Sequence, residues 1–313
     1  MLSKLAYAIP LWMCAAATVC ADVTVRYEAK FNMNFPAGMP QGEQLNKTFH
    51  DQMSKIVGQP MRMKNGKSRC EMGPIVYILD YTTQQVTLID NEHKTTAKML
   101  QSELGERLFA LMPKPKEPEM PKDLPEEVKK AIEAAQEAMK HPKTTVDSHK
   151  TGRTDTILGI QAEEREVVIV MEMPMPQGMP AMTTRMVMQI WMAKPEEALR
   201  NQAVREMTGY NIWQDRFMNP MAQMEKLIPN GAETFKTVYS EMTKEKTMLL
   251  RTHLATYMGG AGQSSDPQME VSNELAEISS AAVDDALFQV PGDYQTVAPE
   301  DILKYMVAGL TKQ

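Results

Sequence analysis

The stretch DVTVRYEAKFNMNF, residues 22–35, decides the fold. Val23, Val25, Tyr27, Ala29, Phe31, Met33 and Phe35 alternate without a break with Asp22, Thr24, Arg26, Glu28, Lys30, Asn32 and Asn34. Side chains of a strand leave it on opposite faces with a period of two, so the stretch predicts one long strand with a dry face and a wet face. Strands of parallel sheets are covered on both sides, whereas a half-wet strand belongs to an antiparallel sheet whose outer side meets solvent.

Upstream of it, residues 1–21 carry one charge, Lys4, an apolar run from Leu5 to Val19, and the ending Val19-Cys20-Ala21. This pattern predicts a secretory signal peptide cleaved before Asp22. The run is shorter than the roughly 20 residues of a spanning helix. A lipoprotein signal would place Leu and a small residue where Ala17 and Val19 stand, so the mature protein is expected to be soluble and periplasmic, with secretion as the alternative. Cleavage removes Cys14 and Cys20 and leaves Cys70 alone. The mature chain then has no partner for an internal disulfide and must be held by burial.

Downstream, the alternation continues in shorter pieces: residues 60–63, then Asn65-Gly66, then 67–72, 75–80, 85–90 and 94–99. Asn-Gly between two strand-like runs predicts a tight hairpin, because both central residues accept positive φ. Residues 100–112 read as a short helix, followed by PKPKEPEMPKDLP at 113–125, whose prolines exclude helix and central strand. An amphipathic helix is predicted at 126–140, with Val128, Ile132, Ala135 and Met139 on one face. Strands follow at 144–155, 160–175 and 183–193, helices at 195–207 and 213–242, and strands at 247–257 and 268–279. Residues 31–40 (FNMNFPAGMP) and 171–180 (MEMPMPQGMP) share a P-x-G-M-P turn after a long alternating strand.

The chain has 313 residues, 34 basic against 40 acidic, and a net charge of −6. Such a balance provides no cationic surface for a phosphate backbone, which argues against nucleic acid as a partner. Mean hydropathy of −0.38 excludes a polytopic membrane protein. There are 29 Met against 7 Phe and 3 Trp, and the methionines keep strand parity in one place. Met171, Met173 and Met175 follow Val167 and Ile169 on one face of a strand, and Met186, Met188 and Met192 flank Ile190 on one face of the next. Antiparallel pairing would bring these side chains together.

Three readings of that face stand side by side. It is a core layer, since unbranched Met fills irregular gaps. It is a pliable cavity for an acyl chain or other greasy ligand, since thioether chains repack around different guests. Or it is a Cu(I) site, since soft thioethers suit that ion, although His50, His93, His141, His149 and His253 all lie outside the cluster. No nucleophile elbow, phosphate loop, dinucleotide fingerprint, H-E-x-x-H, C-x-x-C or EF-hand occurs, so a catalytic role and a cofactor are not expected. His253 and Asp284-Asp285 read as ordinary polar positions, and Asn46-Lys47-Thr48 fits a glycosylation sequon.

The stretches MRMKNGKSRCEM (61–72), ILDYTTQQVTLIDNEHKT (78–95), TILGIQAEEREV (156–167), MVMQIWMAK (186–194) and LFQVPGDY (287–294) together resemble the bacterial exported domain of unknown function 4412, itself similar to periplasmic lipoprotein-carrier (LolA-like) proteins. After Leu158-Gly159 the chain departs from that pattern, with Ala162 and Arg165 where a Cys and an aromatic are expected. The resemblance implies an α+β fold: a strongly curved antiparallel sheet, an incomplete barrel, with helices covering the concave face, in a single LolA-like domain over 22–313. It brings no catalytic residues. The expectation is thus a non-enzymatic periplasmic protein sheltering a lipid, a lipidated protein or another hydrophobic ligand, in peripheral contact with an envelope membrane. Its ligand would lie against Phe31, Met33, Phe35, Met171, Met173, Met175, Met186, Met188, Ile190 and Met192, under helices at 126–140 and 213–242. The alternatives are a soft-metal binder on the same methionines and an envelope structural module with a dry core.

Overall fold

A computed structural model describes residues 22–34, 47, 58–111, 143–173, 182–210, 235, 236, 238, 240–242, 244, 247–259 and 266–311. The expected signal peptide, the proline-rich segment at 113–125, the helix at 126–140, both P-x-G-M-P turns and most of the helix at 213–242 lie outside these residues.

The strands, in chain order, are β1 (Val23–Met33), β2 (Met61–Lys64), β3 (Lys67–Met72), β4 (Ile75–Asp80), β5 (Gln85–Asp90), β6 (Thr95–Leu100), β7 (Lys143–Ile157), β8 (Ile160–Met173), β9 (Met182–Ala193), β10 (Leu249–Gly259), β11 (Met269–Ser279) and β12 (Gln295–Thr296). They form one 12-stranded sheet in the order β12-β6-β5-β4-β3-β2-β1-β11-β10-β9-β8-β7. Every pairing is antiparallel except that of β12 with β6. Among the described residues β7 and β12 do not meet, so the sheet does not close into a barrel.

The alternation in β1 is realised. Val23, Val25 and Tyr27 are buried while Glu28, Lys30 and Asn32 are exposed. The hairpin at Asn65-Gly66 forms with φ of 50° and 74°, and a second one at Leu158-Gly159 with φ of 50° and 78°. Positive φ at both central positions gives the turn a twist that matches its strands. β1 is the seam of the sheet, with β2 on one side and β11 on the other.

Four α-helices are bounded within the described residues, α1 (Gln101–Leu111), α2 (Glu197–Arg200), α3 (Gln202–Gly209) and α4 (Pro299–Thr311), and the described residues between 235 and 244 are helical as well. The single helix expected at 195–207 is two, because Asn201 is extended (φ −118°, ψ 114°) and caps α3 by accepting the Val204 N–H at 3.2 Å. α1 and α4 pack on β5 and β6. Leu104, Ile302 and Leu303 share a core there with Tyr77, Leu79, Val86, Leu88, Ala97 and Met99. A second core joins β1, β2 and β8–β11 to α3 and to Phe235, Val238 and Met242. On the opposite face of β4 and β5, the segment 283–294 crosses the sheet, seating Phe288, Val290 and Tyr294 on Val76, Ile78 and Ile89. Lys64 anchors this strap by donating to the Val283 carbonyl at 2.6 Å and lying 3.2 Å from Asp285 and 3.3 Å from Asp22. Hydrogen bonding to Asp285, and then to Asp22, raises the Lys64 ammonium above its ordinary value. No helix among the described residues is long and apolar enough to cross a membrane.

Candidate methionine-lined site

Strand pairing places residues in rows that run across the sheet on one face. One row is Val146, Ile169, Met186, Thr256, Met269, Met33; the next is Ser148, Val167, Met188, Leu254, Val271, Phe31. A third is Lys150, Arg165, Ile190, Thr252, Asn273, Ala29. Directly paired residues have Cβ atoms about 5 Å apart, so each row is a line of touching side chains.

The structure thus gathers Phe31, Met33, Met171, Met186, Met188, Ile190 and Met192 onto one face. Their environments differ. Met188 (2% exposed), Ile190 (0%) and Met192 (4%) are sealed among Met207, Phe235, Met242 and Leu250. Phe31, Met33, Met171 and Met186 are half-buried. Met173 ends β8 opposite Met182, with its side chain outside the described atoms; Phe35 and Met175 lie outside the described residues. The two methionine series share the face without standing opposite each other. Met171 faces Thr184, while Met186 faces Ile169 and Met188 faces Val167.

Along β10 burial does not fall off evenly: Leu250, Thr252 and Thr256 are buried, Leu254 between them is half-buried, and Met258 at the end is 42% exposed. Sequence reasoning missed Leu254, Met258, Met269 and Val271. Their alternation is visible in the sequence, but only the pairing of β11 with both β1 and β10 brings them beside Phe31 and Met33.

Polar groups on this face have definite roles. Arg165, 8% exposed, donates to Glu241 Oε2 at 2.8 Å and to Ser148 Oγ at 3.1 Å, tying β8 to the helical residues around 241. Tyr27 is buried and donates to the Leu249 carbonyl at 2.7 Å; burial pushes its phenol well above the ordinary value. The Oγ1 atoms of Thr144 and Thr256 and the Oδ1 of Asn273 are buried with no hydrogen-bond partner.

The outer face has another chemistry. Arg251 lies 5.6 Å from the Trp191 ring centre and reaches Glu274 at 2.5 Å and Asp155 at 2.7 Å. The Arg251 bond, and then the Thr156 N–H, hold the Asp155 carboxyl below its usual range. His253 sits 3.4 Å from Glu270 and His149 is 3.1 Å from Asp147; on the side covered by α4, the turn residue His93 is 2.7 Å from buried Asp90 and stacked on Tyr305. His50 and His141 lie outside the described residues. A cleft of about 80 Å³ opens beside Met192, between Glu164, Arg165 and Thr247. A larger one of about 380 Å³ runs between the strap at Phe288 and the outer face at Lys67 and Lys98. Cys70 is a half-buried thiol on β3. No group of three His, Cys, Asp or Glu side chains among the described residues could hold a metal ion.

No protein-family model matches this chain, and no curated protein matches it.

Proposed function

We propose that the protein is a non-enzymatic carrier or binding protein of the periplasm that shelters a hydrophobic ligand on the methionine-lined face. The observation that carries the reading is the continuity of that face: the side that forms the sealed core at Met188, Ile190 and Met192 runs on, in the same strands, to half-buried Met186, Met171, Met33 and Phe31. Unbranched, polarizable side chains at the half-buried positions can repack around a guest at small cost. Each methylene taken from water contributes about 0.8 kcal/mol, so a partly covered chain of several carbons gives useful affinity.

The reading includes the finer fold expected from the resemblance to LolA-like proteins, a strongly curved sheet with helices over its concave side. The burial of Phe235, Val238 and Met242 in one cluster with sheet residues supports it. Export by a cleaved signal peptide and contact with an envelope membrane belong to the same proposal.

Native mass spectrometry of the mature protein, purified from its own compartment without detergent, tests it. Adducts of lipid mass, recovered by organic extraction, are the expected result. A clean apo mass overturns the carrier reading in favour of a dry structural module, and stoichiometric Cu(I) uptake under reducing conditions would transfer the face to the soft-metal alternative.

A further inference from the structure

Thr256 stands in the middle of a row in which Ile169 is fully buried and Met186, Met269 and Met33 are half-buried; it is paired with Met186 on one side and Met269 on the other, with Ile169 and Met33 beyond them. It is 5% exposed, and its hydroxyl has no hydrogen-bond partner. A buried hydroxyl without a partner costs roughly 1–3 kcal/mol, and nearly all such groups in native proteins are satisfied. Valine has nearly the same shape, is likewise favoured in strands and carries no such penalty, so packing and strand propensity do not call for the hydroxyl. The row around it holds thioethers and aliphatic carbons, and no charge.

From this we infer that the ligand of the methionine face is a lipid acyl ester, whose carbonyl accepts the Thr256 hydroxyl while its chain lies over Met186, Met269 and Met33. The inference rests on the carrier reading above and narrows it. A plain hydrocarbon leaves the hydroxyl unsatisfied. A carboxylate brings a charge that no cation in this row meets. An N-acyl amide adds an N–H for which the surrounding thioethers are poor acceptors. An ester supplies an acceptor and no donor. The Thr144 hydroxyl lies one row further out at the β7 edge, paired with Met171, and is a second unfilled donor on the same face. Asn273 Oδ1 is two rows further in, beyond reach of a group held at Thr256.

Two probes separate the ester from the chain: lauroyl lysophosphatidylcholine and dodecylphosphocholine, with the same chain length and the same choline headgroup, of which only the first has an acyl carbonyl. Calorimetric titration of the mature full chain, below micellar concentrations, is expected to show the ester binding about tenfold more tightly, the equivalent of one net hydrogen bond. Thr256→Val is expected to reduce that preference to within about twofold while leaving dodecylphosphocholine affinity unchanged; Thr256→Ser is expected to retain it. Equal affinity of the two probes for the wild type, or a preference that survives Thr256→Val, overturns this inference and leaves the carrier reading standing. Failure of both probes to bind the wild type overturns the two together.

Discussion

The β3–β6 half and the β8–β11 half of the sheet are built from the same unit, the antiparallel hairpin, and filled differently. The first buries Leu79, Val86, Leu88 and Ala97 to completion beneath α1 and α4. The second mixes Met and Thr with Val167, Ile169 and Ile190, and leaves Met171, Met186, Met269 and Met33 half-buried beside them. Branched aliphatic side chains have few rotamers and define one packing; thioether chains have many and tolerate several. The difference teaches that one continuous sheet can join a stretch that defines a single packing to a stretch whose side chains tolerate several.

The sharpest way to break this contrast is truncation. Leu88→Ala is expected to cost about 2–5 kcal/mol, measured by urea unfolding, because the first core has no slack to fill the void. A smaller loss is expected from Tyr27→Phe, about 1–3 kcal/mol, since it strands the Leu249 carbonyl in the seam between the halves. The phenol also sets a pH signature. Its folded pKa lies above the unfolded value near 10, so its contribution is complete below pH ~10 and is lost as pH rises beyond it. Wild-type melting temperature should therefore fall above pH ~10, and Tyr27→Phe should fall less steeply.

Met186→Ala, at a half-buried position, is expected to cost under about 1.5 kcal/mol, below the range for a fully buried Met. A loss matching that of Leu88→Ala would show that the two halves are equally rigid and would end the comparison. The smallest effect belongs to the outer face. The Asp155 carboxyl, lowered by Arg251, contributes above the ordinary carboxylate range and ceases to as pH falls through its depressed value. Asp155→Asn should therefore lower the melting temperature slightly at pH 7, by an amount that shrinks as pH falls through the depressed value of the carboxyl.

The parts of this architecture that are local were legible in the residues. Asn65-Gly66 declared its hairpin because the turn chemistry is contained in two positions, and the parity of β1 declared its two faces. The non-local parts were not. Nothing within 268–279 says that it lies against β1, and the pairing of Met33 with Met269 follows only from that adjacency. The strap at 283–294 has no period, because its residues follow the groove they cross. α4 went unread although Pro299 at its start, Glu300 and Asp301 in its first turn, and Ile302, Leu303, Met306 and Val307 along one side carry the usual signature. The shared face of the methionines was legible from parity alone, but their rows were not, since register depends on where each strand stops.

The seam formed by β1 also sets a clock. Arg26 meets Glu277 across 251 residues of chain, so β1 waits for a strand made long after it before its ladder is complete. Closing so long a loop adds little to the equilibrium cost, because loop entropy grows only with the logarithm of length, but contacts this distant in sequence slow the search for the native topology. Until β11 arrives, Val23, Val25 and Tyr27 have lost their final cover, and the nascent protein presents an apolar strand edge to its surroundings. Refolding followed by hydrogen exchange should accordingly show the amides of β4 and β5 protected before those of β1, and early protection of β1 would refute that order.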